Sequence, residues 1–280
     1  MLSEPRWVDD YPVDFLSRLQ AAFGDASILM LVDCGFDTGF VPALHRRFPE
    51  TRIKSLFEGL YEGPGLAEVA PQLVELPNGE SLRTAMLELA LRRANAKPML
   101  TFLHWPDGFD ACMHHLRGQL EAVDSSDTAF LIRIADTRAL QQLLLVLDEE
   151  QRTRVLGKGT WRYADRSAEL QCVRVRVDAQ VGSDGPLRLS DRQVDDLASL
   201  ARADAVLTFI QRSTHIFGRF TGRPSEAHSC ISKVLREASP ESHDAEVYRS
   251  VLAVLEREKM LSSTSEVDAL FDGKSHSISM

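Results

Sequence analysis

The sequence has no stretch long enough to cross a bilayer. No apolar run approaches the roughly 20 residues of a spanning helix, and one of the longer runs, Ile28-Leu29-Met30-Leu31-Val32, has the length of a buried strand. There is no basic excess either: 32 Lys and Arg stand against 41 Asp and Glu, a formal charge of −9. Up to Asp178 the balance is 20 − 26 = −6, and beyond it 12 − 15 = −3, so both halves share one sign. A protein held to nucleic acid by phosphate neutralisation would carry a basic stripe, so no nucleic-acid partner and no membrane partner are expected. Cysteine is sparse. Cys34, Cys112, Cys172 and Cys230 are widely spaced with no C-x-x-C, which excludes a disulfide scaffold and predicts reduced, mostly buried thiols. The N-terminus carries acidic residues and Pro5 where a basic-then-apolar leader would stand, and a cytoplasmic location is expected.

Signatures of catalysis are equally scarce. Gly157-Lys158-Gly159-Thr160 lacks the hydroxyl after lysine and the earlier glycine that a phosphate loop needs to wrap its amides around a phosphate. It reads instead as a glycine-rich turn. No G-x-S-x-G elbow and no G-x-G-x-x-G after a strand occur. Cys112, His114 and His115 form the one tight metal-like cluster. Helical neighbours at i and i+1 point about 100° apart, so the three do not converge, and neither a metal nor a cofactor is expected. Asp9-Asp10 and Asp195-Asp196 adjoin expected helix starts, where carboxylates complement the helix dipole.

What is present suits a core-rich globular chain of 280 residues, 44% hydrophobic and 26% charged. Strand-type and helix-type patterns alternate along the N-terminal part. Helices are expected over 13–23, with Val13, Leu16, Leu19 and Phe23 as one stripe, and over 39–48, 81–94, 109–123 and 137–147. The 81–94 helix is expected to bury Leu82, Met86, Leu89 and Ala90. Strands are expected over 26–32, 53–57, 72–76, 98–103 and 128–134. This order predicts an α/β lobe, with a mixed α+β fold as the variant, built on a mostly parallel or mixed sheet. Val173, Val175 and Val177 alternate with Arg174 and Arg176, the pattern of a half-exposed antiparallel edge strand. Gly182 to Pro186 marks a boundary between an N-terminal lobe, 1–181, and a helical lobe, 187–272, with a tail at 273–280. Ser190 and Gln193 have capping-box spacing, and helices follow to about 217, over 225–238 and around Val247, Val251, Val254 and Leu255.

Several side chains stand out as candidates for contact with a partner. Trp105, on a strand-to-helix loop, and Trp161 are aromatic anchors if exposed and core residues if not. Phe209, Ile210, Ile216, Phe217 and Phe220 make a stripe apolar on more than one face, suited to a core or to a partner helix. Arg133, Asp136 and Arg138 form an acid between two guanidinium groups, which either locks a loop or presents a planar charged surface. A cleft between the two lobes is a further natural partner site. A rival reading is a hydrolase-like site assembled from Asp33, His104 and Cys112, with Asp33 at the end of a buried strand.

Four segments, in order, resemble a known family: Leu29 to Gly35, Ser55-Leu56-Phe57-Glu58-Gly59, Leu66 to Leu76, and Phe130 to Arg138 followed by a leucine-rich helix and Leu147 to Gln151. The chain from about Ile28 to Asp165 is similar to a bacterial family first catalogued as a domain of unknown function, whose members act as adaptor chaperones of the type VI secretion system. Cys34 departs from the small residue or glycine more usual there. The resemblance implies a non-enzymatic protein that binds a toxic effector in the cytoplasm and delivers it to the valine-glycine-repeat spike or its PAAR-type tip. It adds Phe57 and Glu58 to the contact candidates and implies a variable, helical C-terminal part. A structural component of the same machine that carries no cargo is the remaining alternative.

Overall fold

The computed structural model describes residues 5–24, 26–175, 185–238 and 244–262. Contacts divide the chain into a body, Asp10–Ala198, and a helical unit formed by Met1–Asp9 with Ser199–Met280. Part of the expected 182–186 break lies outside the described residues. Among the described residues no helix is long and apolar enough to cross a membrane.

The body is mixed α+β. Strand β1 (Leu29–Asp33) is buried along its whole length because helices cover both sides of the sheet. Leu29 and Leu31 point into one apolar cluster with Leu73, Leu103 and Trp161. Met30 and Val32 point into another with Phe40, Met86 and Phe102. The strands β2 (Ile53–Ser55), β3 (Pro71–Glu75), β4 (Leu100–His104), β7 (Thr160–Ala164) and β8 (Leu170–Arg174) complete a six-stranded sheet in the order β2-β3-β1-β4-β7-β8. Every pairing in it is antiparallel. The expected mostly parallel or mixed sheet is therefore corrected. The apolar run at β1 and the run at β4, interrupted only by the buried Thr101, report cover on both faces, and antiparallel neighbours meet that condition as well as parallel ones do.

Helices α1 (Phe15–Phe23), α2 (Phe40–Arg47) and α4 (Glu80–Ala94) share the second cluster. Helices α5 (Gly108–Arg117), α6 (Thr137–Val146) and α7 (Glu149–Leu156) share the first. The short α3 (Leu66–Val69) precedes β3. A second sheet, order β6-β5-β9, joins β6 (Ala129–Leu131) antiparallel and β9 (Leu187–Arg188) parallel to β5 (Glu121–Val123). The expected 109–123 helix is thus two elements: Gly118 closes α5, its N–H bonding back to the His114 carbonyl, and the apolar residues that follow become β5. Two stripes are shifted as well. Helix α1 buries Phe15, Leu19 and Phe23 and leaves Val13 outside. Helix α4 buries Met86, Leu87, Ala90, Leu91 and Ala94 while Leu82 is exposed. The edge strand expected around Val173 is β8, at the sheet margin and antiparallel to β7.

In the helical unit, α8 (Asp191–Arg212), α9 (Thr214–Phe217), α10 (Pro224–Glu237) and α11 (Asp244–Arg257) follow one another. The unit boundary falls within α8. Ser190 and Gln193 make the expected reciprocal cap at its start: Gln193 N donates to Ser190 Oγ at 3.3 Å, and Ser190 N to Gln193 Oε1 at 3.0 Å. Ile210, Ile231, Val251 and Leu255 centre a separate core. The N-terminal arm is tied into it. Arg6 N donates to Gln211 Oε1 at 2.6 Å and Gln211 Nε2 returns a bond to Arg6 O at 2.8 Å. Asp9 accepts from Ser225 N at 3.1 Å, Ser225 Oγ at 2.6 Å and Arg223 Nη2 at 2.5 Å. It therefore caps α10, a helix remote in sequence, while Asp10 accepts from Asn95 Nδ2 at 2.7 Å.

Candidate functional site

The candidate site starts at the C-terminal end of β1. Asp33 faces Pro71 across the ladder, and its N–H is held by the Met99 carbonyl at 2.9 Å. Its buried carboxylate accepts from Gly35 N at 3.0 Å through Oδ1 and from Arg133 Nη2 at 2.8 Å through Oδ2. A Cβ on Gly35 would lie 3.0 Å from Asp33 Oδ1 and 3.5 Å from Arg133 Nη2, so a side chain there would crowd the ion pair.

Arg133 also reaches Asp136, Nη1 to Oδ2 at 3.8 Å. Asp136 caps α6 by accepting from Arg138 N at 3.0 Å, and Arg138 Nη2 closes on its other oxygen at 2.9 Å. The Phe36 ring lies under both guanidinium groups, at 5.0 Å from Arg133 and 5.5 Å from Arg138. Burial pushes the Asp33 carboxyl above its ordinary range; Arg133 pulls it down, and the Asp136 charge pushes the same way as burial. Of the two readings of the Arg133–Asp136–Arg138 segment, the geometry is that of a lock between β1 and the start of α6. Arg133 keeps about half of its side chain (53%) in solvent.

A groove of about 510 Å³ opens beside this network. Asp33, Gly35, Phe57, Leu66, Val69, Pro71 and residues 131–135 line it. Phe57 is half-buried and meets Tyr61 edge-on at 4.9 Å, and Tyr61 Oη donates to Glu121 Oε1 at 2.6 Å. Glu58 is exposed, and its carbonyl accepts from Arg117 Nη2 at 2.5 Å. Sequence reasoning singled out Phe57, Glu58, Arg133, Asp136 and Arg138 but not Val69 and Leu131, two of the exposed large apolar side chains of the chain. Their signal was weak, since single apolar residues on short elements carry no period. A second hollow of about 530 Å³, lined by Arg47, Phe48, Arg52, Leu82 and Met86 among others, contains no residue singled out as a contact candidate.

The other candidates are placed elsewhere. Trp161 is fully buried in β7 and its Nε1 donates to the Leu156 carbonyl at 2.9 Å. Trp105 is buried against the His115 ring at 4.7 Å. As exposed anchors both are corrected: they are core residues. The Gly157–Gly159 turn makes room for them, since a Cβ on Gly159 would sit 2.5 Å from the Trp105 ring. Phe217 is buried, Phe220 is half-buried and bridges to Leu261, and Phe209 alone of the three is well exposed, edge-on to Phe217 and Tyr248.

The set Asp33, His104 and Cys112 is not brought together. His104 follows Leu103, which faces Leu29, so it stands at the opposite end of the β1–β4 pair from Asp33, roughly 16 Å away at about 3.3 Å per residue. Its Nδ1 bonds to the Ser27 carbonyl at 3.1 Å. Cys112 is fully buried in α5, where burial pushes its thiol up to about 12. Among the described residues no group of His, Cys, Asp or Glu could hold a metal.

The segments that build the groove are the ones that invite comparison. Residues 29–154 match the model of a family described as a domain of unknown function, DUF4123. The match begins at β1 and ends within α7, so it takes in the whole groove and leaves out β7, β8 and the helical unit. No curated protein and no solved structure matches the chain.

Proposed function

We propose that this protein is a non-enzymatic adaptor chaperone that binds a type VI secretion effector in the cytoplasm. It passes that effector to the valine-glycine-repeat spike or its PAAR-type tip. The observation that carries the proposal is convergence. The end of β1, the Ser55–Gly59 turn, the Leu66–Pro71 turn and residues 131–135 are far apart in sequence, lie inside the DUF4123 match, and meet around one groove. A wall that is largely apolar, with its charges already paired beneath it, suits a polypeptide partner better than a small charged substrate.

The proposal is tested by co-expressing the chain with the product of the gene beside its own and purifying through a tag on one of them. A stable complex, handed to the spike protein in a three-component mixture, is the expected result. Failure to bind that product or any spike protein refutes the proposal. So does turnover of a small compound by the purified protein that a single substitution abolishes.

A further inference from the structure

The groove combines three features whose chemistry specifies its occupant. The first is a free strand edge. In the second sheet β6 lies at the margin, and among the described residues no strand lies on its outer side. Ile132 N donates to Leu120 O at 2.8 Å and Asp124 N to Thr128 O at 3.2 Å, so the even-numbered backbone groups there turn towards β5. Alternation along an antiparallel strand then turns the N–H and C=O groups of Ala129 and Leu131 outwards. The second feature is an apolar wall beside that edge: Leu131 is 51% exposed and Val69 41%. The third is charge. From Ser55 to Pro71 the chain carries Glu58, Glu62 and Glu68, all exposed, and no Lys or Arg, and this segment supplies one wall of the groove with Phe57, Leu66 and Val69. The one guanidinium on the lining, Arg133, is already engaged by Asp33.

We infer that the groove takes an extended segment of the effector as an added strand along β6. That segment is apolar on alternate residues and flanked by Lys or Arg. Main-chain bonds to Ala129 and Leu131 supply the register, alternate side chains enter against Val69 and Leu131, and the flanking cations meet Glu62 and Glu68. The inference rests on the adaptor reading and gives its partner a chemistry.

The experiment compares affinities of the purified effector for the full-length chain and three variants. Glu62→Lys/Glu68→Lys reverses the charge of two exposed residues in the segment that supplies that wall. Leu131→Pro removes an outward N–H without touching the bonds to β5. Leu145→Ser changes an exposed leucine on α6 outside the groove. The charge reversal and Leu131→Pro are expected to weaken binding at least tenfold, and Leu145→Ser less than twofold. Circular dichroism checks that each variant is folded. Should Leu131→Pro fail to fold, Leu131→Lys replaces it. In an array of overlapping effector peptides, the strongest binders are expected to be basic-flanked apolar segments. An effector that binds wild type and both groove variants equally overturns this inference and leaves the adaptor role standing. So does an array in which acidic segments bind best. No complex with the wild-type chain overturns the adaptor role itself, and this inference with it.

Discussion

Replacing Arg133 with methionine tests the lock at the base of the groove. The substitution keeps most of the apolar stem and removes the charge that faces Asp33 at 2.8 Å. Asp33 and Asp136 both keep no more than 6% of their side-chain surface in solvent. Breaking a buried pair by removing one partner costs about 3–5 kcal/mol when both are fully buried. Arg133 is half in solvent and Asp33 retains the Gly35 N–H, so screening reduces the expected loss to about 1–2 kcal/mol. For a body of this size that lowers Tm by roughly 2–8 °C. The loss depends on pH. The folded-state pKa of Asp33 is raised by burial, and without Arg133 it rises further. A carboxyl whose folded pKa lies above its unfolded value contributes stability below the unfolded value, and loses it as pH rises through the folded one. The difference between wild type and Arg133→Met is therefore largest near pH 7.5 and shrinks towards pH 4. Urea unfolding in a Trp7→Phe background reads this directly, because Trp105 and Trp161 both lie in the body. Adding Asp33→Asn is expected to recover much of the loss at pH 7.5, with a coupling of about 0.5–3 kcal/mol. A loss that is the same at pH 4.5 and 7.5, or a double variant no better than the single, refutes the reasoning.

Three further outcomes follow from the packing. A thiol reagent is expected to modify exposed Cys172 first and to leave Cys34 and Cys112, whose thiols burial pushes up to about 12, untouched until urea opens the fold; early labelling of Cys112 counts against the placement of α5. Asp9→Ala is expected to cost the helical unit about 1–2 kcal/mol as a lost helix cap, with Asp9→Asn milder, measured by far-ultraviolet melting; an unchanged midpoint removes the cap from the account. Gly159→Ala drives a Cβ to 2.5 Å from the Trp105 ring and is expected to cost about 1–3 kcal/mol by overpacking with a shift in tryptophan emission, whereas Gly79→Ala, which meets nothing within 4 Å, stays near wild type; similar melts for the two refute the claim that the turn exists to admit Trp105.

The sequence made the elements legible and their directions illegible. The runs at β1 and β4 announce strands with two covered faces, and the clusters on either side confirm the cover. Neither run carries information on polarity, which the connecting elements and register decide. The stripe errors have a local cause. Helix α4 offers Leu82, Met86, Leu89 and Ala90 on one line, and Met86, Leu87, Ala90, Leu91 and Ala94 on another, with Met86 and Ala90 common to both. The second is the face that is buried. In the stretch from Gly108 to Val123 the apolar period runs through both α5 and β5. Gly118 was the one sign of a break, and it stands among residues that are themselves compatible with a helix.

The site divides along the same line between local and distant contacts. The Arg133–Asp136–Arg138 cluster was legible because its members lie within six residues, a spacing at which side chains meet around a helix start. Asp33 was legible as a strand-end acid, yet its tie to Arg133 spans 100 residues and no spacing rule reaches that far. The tryptophans show the converse. Each was open to core or interface readings: for Trp161 a signal lay close by in Gly157 and Gly159, whereas Trp105, 157 − 105 = 52 residues from Gly157, is brought against those glycines only by the fold. Small residues flanking a large ring mark where the backbone must make room, so a tryptophan beside a Gly-x-Gly turn is better assigned to the core. With both rings in the core, the docking proposed along β6 rests on backbone groups, and these leave no mark in composition.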